Sequence, residues 1–530
     1  MKRLLLGLLG LASMQAFSQA LPPVNTAQLG ALPYNTSLND VWGYADTAGN
    51  EYALVGVRNG FSVVDVTNPA APVEEFKIPG RRSTWRDIKT WDHYAYVMHD
   101  PSPQGGGDGL LIVDLDSLTT PRYKFIYPKV VLGGVEDSAT RSHNLWVDEN
   151  GVLYIFGADV GLGGAIMLDV ATDPWNPTYL GLYNSTYLHD GYVRGDTLWG
   201  AALGNGMVAA DISNKTQPQF LAQWNTPSVF AHNCWMSDDN KTIFTTDEVS
   251  SAYITAYDVS DLSNVSETDR MRITPNNQTI PHNAHVLGDL VYTSYYTYGL
   301  HIMDAQDPTW LMEVGSFDSS PLSGTGYDGA WGAYPYLPSG NLLVTDIQEG
   351  LFVISFNETR ASRVYAFVQD SLTGQALPMA DVFLVNANDT VALDAITAGF
   401  RRGMVGAGQD SIHVHASGYT SIKTTFNYTP GLVDTVIYKM LPIDFSVNEA
   451  ELNGIEMTPN PATDFFTLEA DVDMDQAEVI LYDMQGREVM RSAWTSGSRS
   501  FRSDINMTPG VYVVEVRNEI GKWTERLVVQ

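Results

Sequence analysis

Between residues 40 and 356 the apolar residues come in short runs bounded by Gly, Asp, Asn and Pro, and one run recurs. It is a Gly, four mostly apolar residues and an Asp: Gly60-Phe-Ser-Val-Val-Asp65, Gly109-Leu-Leu-Ile-Val-Asp114, Gly164-Ala-Ile-Met-Leu-Asp169, Gly206-Met-Val-Ala-Ala-Asp211 and Gly299-Leu-His-Ile-Met-Asp304. A further copy ends at Asp258 with Tyr253 in the Gly position, and a last one runs from Gly350 to Ser355. The closing residues lie 42–55 positions apart. Around each run the same grammar holds. A strand starting near a His or Trp turns into a second strand, such as Tyr52-Ala-Leu-Val-Gly56. The Gly opens a third strand, and the Asp closes it in an Asx-turn such as Asp65-Val-Thr-Asn-Pro69. A fourth strand follows. Four antiparallel strands per unit of this length predict a β-propeller blade, and seven units predict seven blades over residues 24–356. The last unit ends short, so residues 24–38 are expected to supply its outer strand and close the ring.

Downstream, residues 360–443 alternate apolar and polar positions without the propeller period, which predicts a β-sandwich. Residues 444–457 read as an acidic linker, and 458–530 as a small C-terminal β-sandwich, so the whole chain is expected to be all-β. At the other end, Lys2 and Arg3 precede an apolar run over 4–11, and Ala16-Phe-Ser18 offers small residues for cleavage. Residues 1–18 therefore read as a secretory signal peptide, its apolar run far short of the ~20 residues that span a bilayer. No later stretch is long enough for a transmembrane segment. The 12 Trp, 27 Tyr and 19 Phe suit strands, and 46 Gly and 26 Pro suit turns. A formal charge of −31 repels phosphate and argues against nucleic acid as a partner. Cys234 is the single cysteine, so no intrachain disulfide staples the fold.

Three resemblances sharpen this picture. Asp40-Val-Trp-Gly-Tyr44, Tyr52-Ala-Leu-Val-Gly-Val57, Trp85-Arg-Asp-Ile-Lys89 and Gly329-Ala-Trp-Gly-Ala-Tyr-Pro335 resemble the choice-of-anchor B family, secreted propellers with LVIVP-type repeats. That likeness covers roughly residues 35–356 and implies a fold and a surface location, but no activity. Asp370-Ser-Leu-Thr-Gly374, Ala380-Asp-Val382 and Gly418-Tyr419 resemble a carboxypeptidase regulatory-like sandwich, with Met379 where that family usually has Gly. Pro459-Asn-Pro461, Val479-Ile-Leu-Tyr-Asp483, Pro509-Gly-Val-Tyr512 and Arg526-Leu-Val-Val-Gln530 resemble the type IX secretion sorting domain, type A. This last resemblance implies passage across the outer membrane by the type IX machinery. It also implies removal of the domain as the protein is anchored at the surface or released.

Aligning the units by their second strands places Asn39, Trp85, His143, His189, His232, His282 and Asp328 at one position. The next position holds Asp40, Arg86, Asn144, Asp190, Asn233, Asn283 and Gly329. Second-strand ends add Arg58, His99, Asp100, Asp159, Asn205, Asp247, Glu248 and Asp346 to the same channel mouth. Imidazole and carboxylate are the ligands of zinc, copper, iron or manganese, so His143, His189, His232, His282, Asp247 and Glu248 are candidate ligands for a divalent metal ion. Trp85, Arg86, Asp100, Asp190, Asn233, Asn283 and Asp346 are candidate contacts for a protein or glycan. Repetition by blade is equally what a structural role predicts, each imidazole stapling its own blade. His285 points to the opposite strand face from His282 and cannot chelate with it. Trp42, Trp85, Trp146, Trp235 and Trp331 fall near the inner strands, where they either stack on sugars or pack the core. Catalytic signatures such as Gly-x-Ser-x-Gly and His-Glu-x-x-His are absent. The chain thus reads as an exported binding module. The alternative is a metal-dependent hydrolase or lyase that uses the same mouth.

Overall fold

The structure is a computed structural model that describes residues 21–101, 106–273, 278–443 and 450–530. The expected signal peptide lies outside the described residues, as does 444–449 of the expected linker. Seven four-stranded antiparallel sheets succeed one another along the chain, and among the described residues the one helical element is a 3-10 turn at Leu115–Ser117. The all-β, seven-bladed expectation holds. Blade one comprises Leu38–Ala45, Glu51–Val57, Gly60–Asp65 and Val73–Pro79 from the inside out. Blade seven is assembled from both ends of the propeller: Ala330–Tyr334, Leu342–Asp346 and Gly350–Phe356 are completed by Thr26–Leu32. That strand pairs with the last one from Thr26↔Phe356 to Leu32↔Leu351, which closes the ring.

The recurrent Gly and Asp have separate physical causes. At Gly206 (φ +75°) and Gly299 (φ +78°) the backbone is left-handed, and a Cβ would stand 2.1 Å from the carbonyl oxygen of Trp224 or Phe317 on the fourth strand. Only glycine lets the third strand begin there. The Asp carboxylate then accepts from a backbone N–H in the turn that follows, as Asp65 does from Thr67 at 2.8 Å and Asp211 from Ser213 at 2.8 Å. Between blades the apolar faces interdigitate. Tyr154, Phe156 and Met167 of blade three pack with Leu198 and Val208 of blade four, all buried. Burial of this kind, repeated around the ring, supplies the main stabilisation without a disulfide.

The chain divides into two compact units. The first holds the propeller together with Val382–His413 and Lys423–Tyr438, and the second holds Val368–Asp381, Val414–Ile422 and Lys439–Gln530. Residues 361–440 contribute a three-stranded and a four-stranded sheet. Within the first unit Arg363, fully buried, donates to the Asp304 carboxylate at 3.1 Å and to its carbonyl at 2.7 Å. The repeat Asp of blade six is thus also the clasp for the strand that follows the propeller. In the second unit a five-stranded and a three-stranded sheet enclose Phe466, Leu468, Val479, Leu481, Trp494, Val514 and Leu527.

Candidate functional site at the channel mouth

The innermost strands carry three tiers of side chains into the propeller channel, and their order follows the chain. At the mouth stand His143, His189, His232 and His282, with Arg86 and Trp331 in the corresponding places of blades two and seven. One residue further along is a belt of Asp40, Asp87, Asn144, Asp190, Asn233 and Asn283. Two residues beyond the belt comes an aromatic plug in which Trp42, Trp146, Trp235 and His285 pack ring against ring, joined by Tyr336 from beyond the inner strand of blade seven. Belt and plug share a strand face because they are two positions apart. The mouth residue gains its aim differently: in blades five and seven, His232 and Trp331 sit at register shifts in the inner strand. A bulge of this sort redirects one side chain without disturbing the next.

The belt is what ties blade to blade. Asp40 accepts from the Ile88 N–H at 3.4 Å, Asp87 from Leu145 at 2.9 Å, Asn144 from Gly191 at 3.3 Å and Asn233 from Ala284 at 3.0 Å. Side-chain amides donate back, Asn144 to Asp87 and Asn233 to Asp190. Lys89 is buried among these groups, 2.5 Å from Asp87 and 3.8 Å from Asp40, with its ammonium 4.5 Å from the Trp42 ring centre. Burial alone would discharge it, but the two carboxylates outweigh that and hold it charged. Burial, and then the neighbouring Asp87 charge, push Asp40 well above the usual carboxylate range, and burial likewise raises Asp190.

The mouth imidazoles are bonded in another pattern. Rings follow one another at 3.7 Å (His143–His189), 4.8 Å (His189–His232) and 4.7 Å (His232–His282) between centroids. The series continues to Tyr296 at 4.9 Å and Tyr327 at 5.4 Å, and at its other end to Trp85 at 5.9 Å. Both end rings are open to solvent, Trp85 at 40% and Tyr327 at 56% exposure. His143 Nδ1 lies 3.4 Å from Asp100, which Arg141 also contacts at 2.7 Å. Burial disfavours the charged His143 ring, yet Asp100 and the nearby Asp190 raise its pKa above the ordinary value. His189 and His282 move the other way: burial, then repulsion from neighbouring imidazoles, hold them neutral well below the usual range. Glu248 stands 3.4 Å from His232 Nε2 and 3.8 Å from His282 Nε2, and accepts from the Tyr296 hydroxyl.

The structure gathers most, not all, of the residues singled out in the sequence. His143, His189, His232, His282, Glu248, Asp100, Asp190 and Trp85 meet at the mouth. Asn233 and Asn283 belong to the belt. Arg86 is buried and turned to the backbone, donating to the Val57 and Arg81 carbonyls, and burial brings its pKa down to about 10. Asp247 and Asp346 are not brought to the imidazoles. Asp247 accepts from Thr226 and Ser228, and Asp346 from Ser319 and the Gln348 and Glu349 N–H groups, so both cap loops. Of the five tryptophans, Trp42, Trp146 and Trp235 fill the plug and only Trp85 is exposed. Cys234 is buried with its thiol turned to the Trp199 carbonyl at 3.7 Å. Sequence reasoning missed Asp87, Lys89 and Tyr296. The signal for the first two is the spacing His143-Asn-Leu-Trp146, His232-Asn-Cys-Trp235, which Arg86-Asp-Ile-Lys89 repeats in charged residues.

Residues 456–530 match the family model of the secretion system C-terminal sorting domain, and residues 48–78 and 192–226 that of the LVIVD repeat. No curated protein matches the chain. Among solved structures, PorZ of Porphyromonas gingivalis, described as an essential bacterial surface component of the type-IX secretion system, is similar at 12% identity with a TM-score of 0.41. That likeness covers 94% of this chain and 60% of PorZ. The β-propeller domain of Cps50 (Swd1) from Myceliophteria thermophila is similar at 10% identity with a TM-score of 0.43, covering 62% of this chain and 98% of that domain. Its own seven four-stranded sheets make the chain a β-propeller protein, and it carries LVIVD repeats. Its sorting domain engages the type IX secretion machinery, and its destination is the cell surface or the surrounding medium. No helix among the described residues is long and apolar enough to cross a membrane.

Proposed function

We propose that this protein is a recognition module that binds a protein or glycan at the propeller's channel mouth after export. The observation that carries this reading is the run of rings from Trp85 through the four imidazoles to Tyr296 and Tyr327, buried along its middle and exposed at both ends. Exposed aromatic faces flanking polar nitrogens suit a sugar ring or an extended peptide that stacks on the rim and hydrogen-bonds inward. The belt ties blades one to six, and of the four imidazoles His143 and His282 also bond to a neighbouring blade, whereas His189 and His232 do not. Beneath the rim the free volume is about 20 Å³, room for one ion or water. The mouth therefore reads a protruding group and does not swallow a ligand.

A metal-dependent hydrolase or lyase is the second reading, favoured by His232, His282 and Glu248 standing together. A metal-bound water would be its nucleophile. The small chamber weighs against it, since no scissile bond fits below the rim. The test is a screen of the purified chain against acidic and neutral glycans and surface proteins of the producing cell. Binding should be lost in Trp85→Ala and Tyr327→Ala and kept in Tyr123→Ala, which alters an exposed ring on the outer strand of blade two. Equal binding by all three variants would remove the mouth from the account.

A further inference from the structure

The mouth holds two overlapping groups of ligand-type atoms, His143, His189, Asp190 and His232, and His232, Glu248 and His282, the atoms of each lying within 4.8 Å of one another. The first is poorly shaped for an ion because the His143 and His189 rings nearly stack, at 3.7 Å and 32°. Two stacked rings do not direct their nitrogens at one point. In the second group the rings are 4.7 Å apart, and Glu248 lies between the two Nε2 atoms at 3.4 Å and 3.8 Å. A tetrahedral zinc with bonds of about 2.0–2.2 Å spaces its ligand atoms roughly 3.3–3.6 Å apart, so the two Glu248 contacts are already near that spacing.

The surroundings are those of a ligating set. His282 donates its Nδ1–H to the Trp331 carbonyl at 2.7 Å, which fixes the tautomer that leaves Nε2 with a free lone pair. The Tyr296 hydroxyl orients the Glu248 carboxylate in the same way. His232 is 2% exposed on the wall of this chamber, with its Nε2 toward Glu248. Its other ring nitrogen, Nδ1, has no hydrogen-bond partner and takes no part in the set.

We propose that His232, His282 and Glu248 bind one divalent transition-metal ion of the zinc type, leaving a coordination position open toward the rim. The proposal rests on the reading of the mouth as a site, and it makes the protruding group that the mouth reads a metal ligand such as a carboxylate. A third group, His93 with Asp114 and Asp116, is more open and has Arg122 3.2 Å from Asp114, and it serves as the comparison.

The test uses the full chain freed of metal by chelator and titrated with zinc alone. One equivalent should bind, and cobalt in its place should give visible d–d absorption. Glu248→Gln should weaken binding about 100-fold or more. Tyr296→Phe, which keeps the ring and removes only the orienting hydroxyl, should weaken it about tenfold. His93→Ala should leave it unchanged. Zinc binding equal in wild type and Glu248→Gln, or no stoichiometric zinc on a folded wild-type chain, overturns the proposal and leaves a hydrogen-bonded polar cluster only. No zinc binding by the folded wild-type chain, with rim-dependent glycan or protein binding present, would sink the metal alone. Zinc binding with no rim-dependent glycan or protein binding would sink the recognition reading.

Discussion

Replacing Asp87 by Ala should cost the propeller far more than replacing His189 by Ala, although the two stand on adjacent tiers. Asp87 receives four donors: Lys89 at 2.5 Å, Ile88 N at 2.6 Å, Leu145 N at 2.9 Å and the Asn144 amide. Its side chain and that of Lys89 are 7% and 8% exposed, so little solvent screens the pair. Removal strands a buried ammonium whose remaining carboxylate, Asp40, is 3.8 Å away. Breaking one side of such a pair costs about 3–5 kcal/mol. His189 offers a 3.3 Å contact with the Tyr187 hydroxyl and ring contacts, and its loss should cost about 1 kcal/mol or less. Guanidinium unfolding followed by fluorescence of the plug tryptophans reads both. The expected result is a large fall in midpoint for Asp87→Ala and a small one for His189→Ala. Equal falls would refute the assignment of blade stapling to the belt.

Three further outcomes follow from the same contacts. Burial, then the Arg86 charge, pull His99 down to about 4, and burial and Lys89 pull His285 to about 3. The unfolded chain binds these protons near pH 6.5 and the native one does not, so stability should fall as pH drops below about 6.5. His99→Asn should lessen that slope in unfolding midpoints taken between pH 7 and 5, with His189, His282 and His285 supplying the remainder and His143, raised by Asp100, opposing it above about pH 6.5. Asp304→Ala removes the partner of fully buried Arg363 and should cost about 3–5 kcal/mol, seen as new protease sensitivity near residues 357–360. Deleting residues 456–530 should leave the chain inside the cell envelope; wild-type surface labelling of the truncated protein would contradict the sorting role.

Blade number and ring closure were legible because both rest on local rules. The repeat Gly is demanded by a close carbonyl and the repeat Asp by a turn, and each leaves its mark in every unit that carries it. The mouth was legible in blades three to six, where His143, His189, His232 and His282 align. It was misregistered in blades two and seven. Alignment put Trp85 and Asp328 in the imidazole position, whereas Arg86 and Trp331 occupy it. In blade seven the alignment is three residues out, more than the single extra residue of the bulge between Ala330 and Gly332 accounts for. Asp247 and Asp346 were drawn in because their strands end at the mouth. Whether a carboxylate there turns inward or caps its own loop depends on partners, Ser228 and Gln348, that are loop-specific.

The central claim about the mouth, that His232, His282 and Glu248 hold one divalent ion, is tested most directly by anomalous diffraction at the zinc edge from crystals of the full chain grown with zinc. The account predicts one peak between the Nε2 atoms of His232 and His282 and the Glu248 carboxylate, with Asp87 and Lys89 unmoved beneath it. A map with no peak there, or with zinc only at His93, Asp114 and Asp116, would contradict it.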